Sequence, residues 1–232
     1  MFFLDPTYMC FMIPGLLLVM LAQWRVNNAY SHWGKVQNGS NLNGVDTAKR
    51  LMQYAGLSGV ELAGTAGKLS DHYDPSKNTL FLSQGVATTP SVASMAVAAH
   101  ELGHAMQDAE GYWPLRFRSA LVPMTNIGSI FGWILILVGL FLGYLQIAWL
   151  GVAVFSLGAV FALATLPVEF NASARARVLL QSAGMMITDD DTRGTNAVLN
   201  AAAFTYVAAL ATAVLQVLYY AMLLTGFGRR RR

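Results

Sequence analysis

Ile127-Gly128-Ser129-Ile130-Phe131-Gly132-Trp133-Ile134-Leu135-Ile136-Leu137-Val138-Gly139-Leu140-Phe141-Leu142-Gly143-Tyr144-Leu145, with a second apolar run over residues 147–166, decides the architecture of this chain. Neither run contains a charged residue. Each is long enough to cross a hydrocarbon core that needs about 20 helical residues. Only Gln146 lies between them, so they predict a helical hairpin that enters a membrane and returns to the face it left. Composition agrees: 55% of residues are apolar and 12% charged, where soluble domains carry about 25% charged. Two further runs read as spans, residues 8–24, interrupted by Pro14-Gly15, and the Ala-rich residues 201–227. For the last, a buried helix or one lying on the membrane surface is the alternative.

The start of the chain lacks the marks of a cleavable signal: no positive charge precedes the apolar run, Asp5 is acidic, and no small-x-small site precedes Arg25. Residues 8–24 are therefore read as a retained anchor. The single cysteine, Cys10, lies inside it, which rules out an intramolecular disulfide and a cysteine-rich metal site. The expected layout is an anchor over 1–25, a polar core over 26–120, the hairpin over 121–166, a helix and loop over 167–200, and a last span with a basic tail over 201–232.

Within the polar core, residues 44–55 read as a helix: Val45, Ala48, Leu51, Met52 and Ala55 share a face, and Gly56 can cap it. Residues 69–73, 74–78 and 79–83 read as strand, turn, strand, with a short further strand over 59–62. Residues 37–41 read as a flexible linker, and Asp189-Asp190-Asp191 as a solvated loop or helix cap.

Upstream of the hairpin stands His100-Glu101-Leu102-Gly103-His104. Two histidines four residues apart project from one helical face, where their imidazoles can hold one Zn²⁺. Glu101 stands beside that face, where a carboxylate can take a proton from a water activated by the metal. The chain has four His and four Glu in 232 residues. Chance would give this pattern in roughly one such chain in a thousand. Thr89-Pro90-Ser91 supplies a helix start, with a hydroxyl at the N-cap and proline at the first helical position. Gly111 and Pro114 stop the helix. A lone histidine on such a helix would ordinarily be a hydrogen-bonded core residue; a pair at this spacing with a glutamate between is a metal site.

A catalytic zinc site usually has three protein ligands. The hairpin brings whatever follows Leu166 back to the face that carries His100 and His104, and Glu169 is the first ionisable residue on that return. It opens a predicted helix over 168–183 and is the best third ligand; its alternative role is interaction with the helix N-terminus. Asp108, four residues after His104, could orient a ligand imidazole or lie on the surface. His72, beside the turn, could contact substrate or be structural, and His32 is expected at the interface.

Lys68-Leu69-Ser70-Asp71-His72-Tyr73-Asp74-Pro75, Leu80-Phe81-Leu82-Ser83, His100–Ala105 and Pro167-Val168-Glu169-Phe170-Asn171-Ala172-Ser173 resemble the neutral, membrane-embedded zinc metallopeptidases of the YugP type, along nearly the whole chain. The resemblance implies a bacterial cell membrane. More distantly the chain is similar to the HtpX and CAAX prenyl protease group. That likeness implies an α+β fold: a minimal Glu-zincin core of short strands, a His helix and a Glu helix, attached to about four transmembrane helices. It places the third zinc ligand on Glu169 and implies that a peptide could lie extended along residues 79–83. The distant group has an aspartate where this chain has Ser173, with Asn171 nearby, so the support of the ligands differs here.

Arg25, Lys35, Arg116, Arg118, Arg175 and Arg177 all fall on the face of the active site, which the positive-inside rule makes cytoplasmic. Four spans put Arg229–Arg232 on the other side, against that rule; the six distributed charges outweigh the tail. The net charge of +3 mostly reflects that tail and points to anionic lipid rather than nucleic acid. The reading is an integral membrane zinc metalloendopeptidase: one Zn²⁺ held by His100, His104 and Glu169, Glu101 as general base, a peptide or protein substrate, and a role in membrane-protein quality control or processing. A catalytically silent scaffold retaining zinc is the alternative, and an intact Glu101 argues against it. A transporter fails because the spans lack charged residues. Substrate sequence and oligomeric state are not written in the chain.

Overall fold

The computed structural model describes residues 6–229, with side chains through Gly226, so those of the basic tail Arg229–Arg232 lie outside the described residues. In chain order the elements are α1 (Pro6–Trp33), α2 (Gly44–Ala55), β1 (Glu61–Thr65), β2 (His72–Asp74), β3 (Thr79–Ser83), α3 (Gln84–Thr88), α4 (Val92–Ala109), α5 (Trp113–Leu142), α6 (Leu145–Phe155), α7 (Leu157–Ser182) and α8 (Asp189–Arg229). They form two compact units: Met1–Leu21, Arg116–Leu166 and Thr205–Arg232 make one, and Ala22–Leu115 and Pro167–Phe204 the other. The fold is mainly helical with one small sheet.

Among the described residues, four helices are long and apolar enough to cross a membrane: Pro6–Trp33, Trp113–Leu142, Leu145–Ser182 and Asp189–Gly226. Residues 8–24 and 201–227 fall within the longer helices α1 and α8, whereas 127–145 run past the end of α5 into the start of α6, and 147–166 are divided between α6 and α7. α1 continues through Pro14 rather than breaking there; unwinding in hydrocarbon would strand more backbone groups than the one bond proline removes. α5 and α6 pack through glycines. A Cβ on Gly132 would stand 2.6 Å from the Phe155 nitrogen, and one on Gly151 2.6 Å from that of Ile136. In lipid, where no hydrophobic force drives helices together, such backbone approach supplies the van der Waals contact that does. Ile136, Ala148, Val152 and Leu224 fill the seam.

The second unit builds its core from α2, the sheet, α4 and the polar stretches of α7 and α8. α2 starts at Asn43, whose side chain accepts the Asp46 N–H, and ends at Gly56 in the left-handed region (φ 69°), as its sequence signals require. Its buried face, Ala48 and Leu51, joins Leu80, Leu82, Val86, Met95, Leu102, Leu180, Met185 and Leu199 in one cluster. The strand order is β1-β3-β2, with β1 parallel to β3 and β2 antiparallel to it. The two outer strands begin two or three residues later than the sequence predicts. β3 matches its prediction but lies in the middle of the sheet. Both its edges are occupied, so no peptide can extend along residues 79–83, contrary to the expectation above.

Residues 37–41 are tied down rather than loose. Gln37 bridges Ser91, and the Asn38 side-chain amide donates to the carbonyls of Leu42 and Ser91. The Gly39 N–H donates to Asp191. Asp191 is buried and also accepts the Ile187 and Thr188 N–H groups, while its own N–H reaches the Thr188 hydroxyl. The acidic run is therefore a helix cap with a reciprocal capping box, and its third member is a buried clasp.

Candidate metal centre

α4 begins two residues later than predicted, at Val92 rather than Pro90: Ser91, not Thr89, is the N-cap, its hydroxyl accepting the Ser94 N–H. Ala93, Ala96, Ala98 and Ala99 are fully buried, and small side chains along that face let neighbouring helices come close. At Gly103 the approach is closest: a Cβ there would lie 2.5 Å from the Ala172 carbonyl oxygen and 3.1 Å from its Cα. α4 and α7 therefore touch backbone to backbone one residue before His104 and three after Glu169.

This contact brings the predicted donors together. His100 Nε2 stands 3.4 Å and His104 Nε2 3.5 Å from Glu169 Oε2, and one donor atom from each residue falls within a 4.8 Å group. Ligands about 2.0–2.1 Å from a tetrahedral zinc stand roughly 3.3–3.4 Å apart, so the two histidine–glutamate separations match edges of such a site. The rings meet edge to face, 4.9 Å between centroids at 83°. Two imidazoles and a carboxylate are borderline donors that suit Zn²⁺. The residues present therefore fit the ion.

The far side of each ring is also held. His104 Nδ1 is 3.0 Å from Gln107 Oε1, and His100 Nδ1 is 3.2 Å from Ser173 Oγ. Both Nε2 atoms are thereby turned toward Glu169. Asp108, expected as a partner of a ligand imidazole, instead accepts the Tyr73 hydroxyl at 3.0 Å. His72 is not among the donors: its ring stacks on Phe81 at 4.8 Å, and its Nδ1 contacts the Ser70 carbonyl. His32 meets Trp33 edge-on. Gln107 was legible only as the next residue of the α4 face, three positions past His104.

Glu101 lies beside the donors, 8% exposed, and its Oε2 accepts the backbone N–H of Tyr73 at 3.2 Å. Burial raises its carboxyl above the usual range, against the opposing pull of the two histidines. For His104, burial disfavours the charged ring, but the Glu169 hydrogen bond and the Glu101 and Glu169 charges more than reverse it, so its pKa is raised. Burial likewise works to raise Glu169, and the two imidazoles overcome it and hold the carboxyl well below its usual range. Burial and the Asp108 hydrogen bond push the Tyr73 phenol up.

Gly103→Ala tests the backbone contact. Helix propensity alone would favour alanine by about 1 kcal/mol, but the methyl would meet backbone that cannot rotate away. Forcing α4 from α7 should cost about 1–3 kcal/mol net. The thermal midpoint in detergent and the zinc bound per chain should both fall; wild-type values for both would show that the helices accommodate a methyl.

The chain matches the family model described as "Putative neutral zinc metallopeptidase" over residues 8–225. It is similar to "Putative membrane protease YugP" of Bacillus subtilis (strain 168), 39% identical over 211 residues, which cover 91% of this chain and 93% of the relative. No solved structure matches. Nearly the whole chain, the hairpin and the donor set included, is thus accounted for by one family, and the protein belongs to the family described as "Putative neutral zinc metallopeptidase".

Proposed function

We propose that the protein is a membrane zinc metalloendopeptidase whose zinc is held by His100, His104 and Glu169. The observation that carries this reading is Glu101: a buried carboxylate beside the donor set, oriented by the Tyr73 N–H. A site that merely held structural metal would have no use for it. Bound zinc supplies a Lewis acid that acidifies water and polarises a carbonyl oxygen. Glu101 takes the proton of the attacking water and passes it to the departing amine, and burial, by raising its carboxyl, makes it a stronger base for that transfer. The Tyr73 N–H fixes one carboxylate oxygen and leaves the other for the proton.

A peptide substrate pairs with a strand edge that β3 cannot offer. The outer edge of β2 lies beside Glu101, to which it gives the Tyr73 N–H, so an extended chain there would donate to backbone carbonyls of β2, and backbone pairing accepts any extended chain. This supports unfolded or membrane-associated polypeptides as substrates, and quality control or processing as the role. Removing metal with a chelator should abolish cleavage of casein by the purified protein, and stoichiometric zinc should restore it. Cleavage that persists with less than a tenth of a zinc per chain would sink the reading.

The site is proposed to face the cytoplasm, on the strength of the six distributed basic residues. Single cysteines at exposed Gln53 and Ser58, in a Cys10→Ser background, should resist an impermeant thiol reagent in intact cells and react after lysis. Labelling of both in intact cells would place the site on the outer face.

A further inference from the structure

Gln107 is fully buried and uses both ends of its amide. Its Nε2 donates to the Val168 carbonyl at 2.8 Å and to Asn171 Oδ1 at 2.9 Å. A backbone carbonyl can only accept, so the amide nitrogen must face α7 and Oε1 must face His104 Nδ1, 3.0 Å away. An oxygen there accepts, so Nδ1 must carry the proton, and the lone pair of Nε2 is left on the side of Glu169. The amide thus dictates the tautomer that a metal ligand requires. Ser173, the neighbour of His100 Nδ1, cannot do this, because a hydroxyl both donates and accepts.

The orientation is fixed a second time from the surface. Asn171 Oδ1 also accepts Arg175 Nε–H at 2.7 Å, and a guanidinium can only donate, so Asn171 must present its oxygen to Gln107. Arg175 is held in turn by a two-pronged pair with Glu110, at 2.6 and 2.7 Å. Glu110 follows α4 and Arg175 lies on α7, so the pair also clamps the two helices that carry the donors.

We infer that Gln107 is a positioning residue for the proposed zinc ligand His104, with its amide locked by Val168, Asn171 and the Arg175–Glu110 pair. This inference rests on the zinc reading above and adds a residue that acts on the metal only through an imidazole. Losing such a partner lowers metal affinity by about 10- to 100-fold.

The test measures zinc affinity of the full-length, metal-stripped protein in detergent by competition with a chromogenic chelator, alongside the visible spectrum of the cobalt-loaded protein. Gln107→Met keeps the volume and removes the hydrogen bonds. It should bind zinc 10- to 100-fold more weakly and shift the cobalt bands, while the metal-free protein keeps its helical signal. Asn171→Leu should lose about 10-fold, and Asn171→Asp, which keeps the acceptor for Gln107 and Arg175, should recover most of that loss. Zinc affinity within twofold of wild type and an unchanged cobalt spectrum in Gln107→Met would overturn the inference. Should that variant fail to fold, equal affinities for the two Asn171 variants would overturn it instead. Failure of the wild type itself to bind zinc would count against the metal site, a different result from equal binding by wild type and Gln107→Met.

Discussion

Glu101→Gln should lower kcat for peptide hydrolysis by about 10²- to 10⁴-fold, the range typical of a positioned general base, while zinc stays near one per chain. The amide nearly matches the carboxylate in shape, and its oxygen can still accept the Tyr73 N–H that Glu101 Oε2 accepts. Burial of the position means that no bulk water stands ready to replace the base. What the amide cannot do is accept a proton and hold it for the leaving amine. The split between intact metal and lost chemistry separates a peptidase from a silent scaffold that keeps zinc. Wild-type turnover by the purified variant would remove Glu101 from the mechanism.

Loss of a donor should act on the metal first. His100→Ala, His104→Ala and Glu169→Ala each leave two of the three proposed donors, a set in which both imidazole Nε2 atoms stand 3.4–3.5 Å from Glu169 Oε2. Partners that only orient a ligand are worth about 10- to 100-fold in affinity, so removal of a ligand should cost more than about 100-fold, and activity should follow. His104→Ala carries an added penalty, because Gln107 Oε1 loses the ring it faces inside the core. Asp108→Ala should leave zinc binding unchanged, since Asp108 serves the Tyr73 hydroxyl rather than an imidazole. Zinc content that survives Glu169→Ala would reassign the third ligand.

The grouping of His100, His104 and Glu169 was legible in the sequence because it depends on simple regularities of helix and hairpin. Histidines four apart share a helical face whatever the rest of the chain does, and a charge-free hairpin must return to its own side, which singles out Glu169. The helix cap at Gly56 was legible for the same local reason. What supports the imidazoles was not. Face counting placed Asp108 under His104, but Tyr73 claims that carboxylate from another strand, and Gln107 gains its role only because Gly103 lets the α7 backbone come within contact of α4. Strand order was equally hidden: the pattern of residues 79–83 fits an edge or a centre, and the pairing of both neighbours decides it. The helix-cap reading of Asp189–Asp191 was within reach of local sequence, but the buried clasp of Asp191 was not, because its partner Gly39 lies far away along the chain.

The proposed donors are also separated in time. A ribosome making this chain delivers His100 and His104 before α5, and Glu169 only on α7, after the hairpin of α5 and α6 has been synthesised. At translation rates of about 5–20 residues per second, the half-made chain spends seconds with two imidazoles and no carboxylate. A chain that stalls in the hairpin never supplies Glu169 to the two imidazoles. On the proposed reading, synthesis of the hairpin is thus the step that precedes and permits completion of the donor set.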